Sequence, residues 1–222
     1  MNNIVNKNFR FEDIEYTFFG IENEHIFKQI PWYEKGLLEY INNLNLNGVY
    51  VDVGGNIGNH SLYFLNHCKS TKLYVFEPEE LCYNILNKNL TTNGKKEFII
   101  NNSAVWDKEC RLKIIKYDSY NNMGMSKVVE TDEDKSDIIA NSLDNIISFN
   151  DNVVLIKIDA EGSEPKVLHG AEKLIKLNMP VIICEAATES EFNEINKILI
   201  PWGYKIPTQR FNATPTYVWH KI

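Results

Sequence analysis

The chain has 222 residues, a net charge of −7, 44% hydrophobic residues and 24% charged residues. That length suits one α/β domain with a large core, and the composition is that of an ordinary globular protein. No dense basic tract is present to mark phosphate binding, which argues against a nucleic-acid substrate, and no apolar run is long enough to cross a bilayer.

The opening residues Met1-Asn2-Asn3-Ile4-Val5-Asn6 lack the apolar centre of a signal peptide. Cys68, Cys82, Cys110 and Cys184 form no CxxC pair, so neither a disulfide framework nor a zinc site is expected. A cytoplasmic location with reduced thiols follows as an expectation. Cys184 lies in the apolar run Val181-Ile182-Ile183-Cys184 and is read as core.

Residues 9–46 mix short alternating stretches with a helical pattern. Pro31 stands where a helix can begin, and residues 33–41 carry apolar side chains at helical spacing. Residues 1–48 are therefore read as a lead-in that packs on the main domain and caps its cofactor. Residues 49–222 are read as one globular unit.

From Val49 onward strands alternate with helices. Val49-Tyr50-Val51-Asp52-Val53 ends at glycines and precedes a helical stretch over 59–67. Leu73-Tyr74-Val75-Phe76-Glu77 stops at Pro78 and precedes a helix over 79–90. Phe98-Ile99-Ile100 begins a third strand. Residues 111–130 then alternate and turn, which predicts an inserted β-hairpin, and 131–135 form an acidic loop.

Strand Val153-Val154-Leu155-Ile156-Lys157-Ile158-Asp159 follows, then a helix opening at Glu164-Pro165, strand Val181-Ile182-Ile183-Cys184-Glu185, and a helix over 189–200. Residues 204–206 and 216–219 read as a closing antiparallel pair. Continuous apolar strands bounded by helices predict an α/β fold with a mostly parallel central sheet and an antiparallel C-terminal strand.

In such sheets ligands bind beyond the carboxyl ends of the strands. Those ends carry Asp52, Glu77, Asn101-Asn102, Asp159-Ala160-Glu161 and Glu185. In the loop Asp52-Val53-Gly54-Gly55-Asn56-Ile57-Gly58, the glycines let backbone turn sharply and approach a ligand. The helix that follows offers free N–H groups to an anion such as a carboxylate. Glu77, one strand later, can accept hydrogen bonds from two ribose hydroxyls. A dinucleotide site needs G-x-G-x-x-G, whereas this loop opens with a carboxylate and shifts its glycines. Asp52 suits the ammonium and sulfonium of S-adenosylmethionine better than a pyrophosphate. An NAD-dependent oxidoreductase and a non-catalytic S-adenosylmethionine-binding module remain the alternatives at this point.

Strand alternation places Lys157 and Asp159 on one face, with Asp159 at the strand end. Glu164 and Pro165 suit a first helical turn, so Glu164 is left out of catalysis. The block over 155–171, with residues 52–58 upstream and 180–185 downstream, resembles the FkbM family of methyltransferases. The resemblance spans roughly residues 49–187. It implies a class I, Rossmann-like methyltransferase sandwich that uses S-adenosylmethionine and methylates hydroxyls of sugars or natural products.

By that resemblance Asp52, Gly54, Asn56 and Gly58 hold the methionine end and Glu77 the ribose. Asn102, Ser103 and Ala104 lie by the adenine, and Asp159 by the transferring methyl. His60, where many relatives carry an aromatic or threonine, is a candidate cofactor or substrate contact, with a plain first-turn helix residue as the alternative. Asp159 or Glu161 is the expected general base for the acceptor hydroxyl, with Glu185 in support. Acceptor contacts are expected in residues 121–126. The three acidic residues offer another use, a divalent-cation site as in catechol-type O-methyltransferases. Those enzymes add an Asp-Asn pair at the next strand end, where this chain has Glu185-Ala186, so no required metal is expected.

Overall fold

The computed structural model describes residues 4–115, 126–131 and 138–222. Strands β1 (Ile4–Phe11) and β2 (Ile14–Ile21) form an antiparallel hairpin, followed by helices α1 (His25–Lys28) and α2 (Lys35–Asn43). Then come β3 (Gly48–Val53), α3 (Asn59–Asn66), β4 (Ser70–Phe76), α4 (Glu80–Asn93) and β5 (Glu97–Asn101). The inserted part holds β6 (Ala104–Val105), β7 (Cys110–Ile115), β8 (Lys127–Glu130), β9 (Ile138–Asn141) and α5 (Leu143–Ile146). The chain closes with β10 (Val153–Ile158), α6 (Glu164–His169), α7 (Glu172–Asn178), β11 (Val181–Glu185), α8 (Glu189–Leu199), β12 (Arg210–Phe211) and β13 (Thr216–Trp219).

The main sheet runs β12-β13-β11-β10-β3-β4-β5. β3, β4, β5, β10 and β11 are parallel, and β13 inserts antiparallel beside β11. This is the class I methyltransferase fold expected from the sequence. Every residue of β3 is buried, as a strand covered on both faces requires. Val49, Val51 and Val53 pack with α5 to α8, whereas Tyr50 points to the other face with α2, α3 and α4.

The β7–β8 pair, in register from Leu112 opposite Glu130, forms the inserted hairpin. Of the expected acceptor segment, residues 121–125 lie outside the described residues, as do 132–135 of the acidic loop. Among the described residues no helix is long and apolar enough to cross a membrane.

Two local expectations are corrected. Pro31 does not open a helix: α2 starts at Lys35, and Pro31 precedes it, its carbonyl accepting from Asn59 Nδ2 at 3.1 Å. Residues 204–206 do not form the closing strand. Arg210–Phe211 pairs with β13 instead, and Tyr204 makes only an isolated bridge to Lys221. Pro207 has no N–H to continue a ladder from that run.

The lead-in is fastened to the main domain by the buried side chain of Asn89 on α4. Its Oδ1 accepts from Phe19 N at 2.7 Å, and its Nδ2 donates to Phe19 O and Ile57 O. One amide thus ties the hairpin to the glycine loop.

Candidate active site

The carboxyl ends of β3, β4, β10 and β11 open on a cavity of about 430 Å³, a size ordinary for small-molecule sites. Gly54 has φ +82°, and Gly54 N and Gly55 N both donate to Phe76 O, at 3.0 and 3.1 Å. This holds the loop across the end of β4. Glu77 turns back toward it: Oε2 accepts from Asn56 N and Oε1 from Glu79 N, each at 2.8 Å. Burial pushes Glu77 up to about 7, even though these two N–H groups work in the other direction.

At the other side of the loop stands Lys157. Its Nζ lies 3.0 Å from Gly54 O, 3.2 Å from Asp52 Oδ1 and 3.4 Å from Asp159 Oδ2. Burial opposes its charge, but Asp52 and Asp159 more than offset this and hold the ammonium above its ordinary value. Burial would likewise raise Asp159, yet Lys157 foremost, with a hydrogen bond from Glu185, keeps it below the usual carboxylate range. Glu185 takes the opposite direction: burial and then Asp159 push it up to about 9. The pair is thus a carboxylate that accepts from a carboxylic acid. Glu161 sits beside them at φ +52°, raised by burial, Asp159 and Glu164 to about 7.

Of the expected residues, Gly54, Asn56, His60, Glu77, Ser103, Ala104, Asp159, Glu161 and Glu185 line the cavity, and Ser126 joins them from the insert. Asp52, Gly58 and Asn102 do not. Asp52 is fully buried on the Tyr50 face of β3, where Ser61 Oγ donates to it at 2.5 Å. Gly58, at φ +87°, precedes α3 with Leu86 and Leu90 against it. Asn102 spends its amide on Glu77 O and Pro78 O. Glu164 accepts from Ala160 N and Gly162 N, which shapes the loop after β10. Sequence reasoning missed Tyr33 and Glu34 of the lead-in, which lie outside any motif, and the cavity-lining role of Lys157, whose shared face with Asp159 was a usable signal.

A family model, the Methyltransferase FkbM domain, matches residues 52–206. The chain belongs to this family. Over 81 residues it is also 37% identical to Methyltransferase sdnD of Sordaria araneosa, a match covering 35% of this chain and 29% of that protein. Among solved structures, the methyltransferase FkbM of Methylobacillus flagellatus KT superposes with a TM-score of 0.59 at 17% identity. That match covers 78% of this chain and 44% of the other. The ribosomal protein L11 methylase of Lactobacillus delbrueckii subsp. bulgaricus gives 0.53 at 9% identity, over 85% and 76%. These two share the fold. The chain spans less than half the length of the Sordaria araneosa and Methylobacillus flagellatus proteins. Its family is one of methyltransferase domains, for which S-adenosylmethionine is the methyl donor, and the family match sets aside the dinucleotide reading.

The residues present fit that methyl donor. Among the described residues Asn56 Oδ1, buried at the cavity, has no hydrogen-bond partner, an acceptor left for a ligand N–H or O–H. A Cβ on Gly54 would run into the Asp159 carbonyl, so the loop approaches as closely as only glycine permits.

The raised acids give the free protein a pH signature. Glu34, Glu77 and Glu161 each stand at about 7 and Glu185 at about 9. Carboxyls ordinarily titrate near 4.3, so the folded state binds more protons than the unfolded one between that value and these. Their contribution to stability is present at low pH and lost as pH rises through the folded values. Thermal melts of the ligand-free protein are expected to be higher at pH 6 than at pH 8.5; a flat profile would show that the cluster is not protonated.

Proposed function

We propose that this chain is an S-adenosylmethionine-dependent methyltransferase that acts on a hydroxyl oxygen of a sugar, glycan or natural product, with Glu161 as the general base. The observation that carries the reading is the division of labour among three carboxyls on one cavity wall. Asp159 is pinned as an anion by Lys157 and by the proton on Glu185, so it orients rather than accepts. Glu161 lines the same cavity with an affinity for protons matched to neutral pH, which suits removal of a hydroxyl proton.

S-adenosylmethionine, when bound, supplies an electrophilic methyl carbon. This chain's own residues position and deprotonate the acceptor. Residues 1–48 act as the cap in this reading, and 49–222 as the catalytic unit. The net charge of −7 supports a small-molecule or glycan acceptor over a nucleic acid, and a cytoplasmic setting is proposed with it.

Labelled-methyl transfer to a panel of hydroxyl acceptors between pH 6 and 9 tests this. The wild type is expected to show a rising limb centred near 7. Glu161→Gln should remove that limb and lower turnover by roughly 10²–10⁴-fold. Unchanged turnover after alanine replaces both Asp159 and Glu161 would rule out the base assignment.

A further inference from the structure

The residue before α2 does not behave as a helix cap. Glu34 occupies the N-cap position, where acidic side chains ordinarily accept from the first turn, yet its side chain makes no such bond. Its backbone is held at φ +55°, ψ +39°, a left-handed conformation that non-glycine residues adopt at a cost. The carboxyl turns into the cavity instead and keeps only 14% of its side-chain surface exposed.

What surrounds that carboxyl does not neutralise it. His60 Nε2 lies 3.5 Å from Glu34 Oε2 and 3.3 Å from Tyr33 O. Both neighbours are acceptors, so this nitrogen carries the ring's proton. Burial first and then Lys157 push His60 down to about 4, so the ring is neutral at physiological pH. Tyr33 adds a hydrogen bond from its hydroxyl. Among the described residues no lysine or arginine pairs with Glu34. Lys157, the cation lining the cavity, donates to Gly54 O and stands at ion-pair distance from Asp52 and Asp159. A buried carboxyl with two neutral donors and no cation is incomplete until a positive group arrives.

The placement says which group. Glu77 and Asp159 stand on opposite sides of the Gly54 loop, bound to it through Asn56 N and packed on it through the Asp159 carbonyl. Glu34 and Asp159 line the same cavity, and the field of Asp159 raises Glu34, which supports a place for Glu34 on the Asp159 side of the loop. We propose that Glu34 binds the cationic end of S-adenosylmethionine, its ammonium or its sulfonium. The lead-in thereby completes a donor site whose family-matched part begins only at residue 52. This rests on the methyl donor alone and not on the hydroxyl acceptor, so either reading can fail without the other.

Calorimetric titration of the full chain and its Glu34→Gln variant with three ligands tests it. S-adenosylmethionine carries both cations, S-adenosylhomocysteine keeps the ammonium alone, and 5′-methylthioadenosine has neither. The variant is expected to bind S-adenosylmethionine at least tenfold more weakly while its affinity for methylthioadenosine changes less than twofold. Equal losses for the first two ligands assign Glu34 to the ammonium; a larger loss for S-adenosylmethionine assigns it to the sulfonium. Equal loss for all three, or none for S-adenosylmethionine, overturns the proposal. Should Glu34→Gln fail to fold, Glu34→Asp keeps the charge on a shorter arm. It is then expected to weaken S-adenosylmethionine more than methylthioadenosine, and equal affinity changes for both would again overturn it.

Discussion

Lys157→Met is expected to lower the free energy of unfolding by about 3–5 kcal/mol, the usual cost of leaving a buried charge without its partner. In a chain of this size that corresponds to roughly 6–20 °C in melting temperature. Methionine fills much the same volume, so the loss is one of charge rather than of packing. Two carboxylates lose their common cation and the Gly54 carbonyl its donor at once. Asp52 keeps only Ser61, in a position sealed from water.

The pH dependence separates this from a packing defect. Asp159, depressed in the folded state, contributes stability above its ordinary value of about 3.9, lost as pH falls through its folded value. Lys157, raised in the folded state, contributes below about 10.4, and that part is lost as pH rises through its folded value. The difference between wild type and variant should therefore be widest between pH 5 and 9 and shrink in acid. Urea unfolding at pH 7 and pH 3.5 measures both. A loss below about 1 kcal/mol at pH 7, in the range of an exposed pair, would mean that water already serves these groups.

The same lysine shows what the sequence could convey. Apolar runs and their glycine stops located β3, β4, β10 and β11, because burial on both faces leaves a continuous signature. That signature hides which face each residue takes. Strand-end position, charge and the resemblance all point Asp52 toward the ligand, yet it shares the Tyr50 face and sits under α3. Alternation within β10 joined Lys157 to Asp159, but its pairing with Asp52 depends on the register between two strands about a hundred residues apart in the chain. Glu34 was invisible for a related reason. Its role depends on how the lead-in folds back through Asn59 and Pro31, a contact without local periodicity. The resemblance places Asn102 by the adenine, and only the structure shows its amide committed to the backbone after β4.

Gly54→Ala is expected to weaken S-adenosylmethionine binding at least a hundredfold and to destabilise the free protein by about 2–5 kcal/mol. The left-handed backbone at φ +82° costs a residue with a Cβ about 1–2 kcal/mol. The added atom then meets the Asp159 carbonyl, a backbone group that no rotamer change can move aside. Overpacking of this kind adds about 1–3 kcal/mol. Relief would come by parting the ends of β3 and β10, which carry the Lys157 contacts to Gly54 and Asp159. The glycine loop and the carboxyl wall would separate, and both border the donor cavity. Gly36 supplies the internal comparison, since a Cβ there meets nothing within 4 Å and the residue lies inside α2. Gly36→Ala should leave donor binding unchanged and stabilise the helix by about 0.5–1 kcal/mol. If Gly54→Ala bound the donor as tightly as the wild type, close approach of the loop to Asp159 would not be what shapes the site.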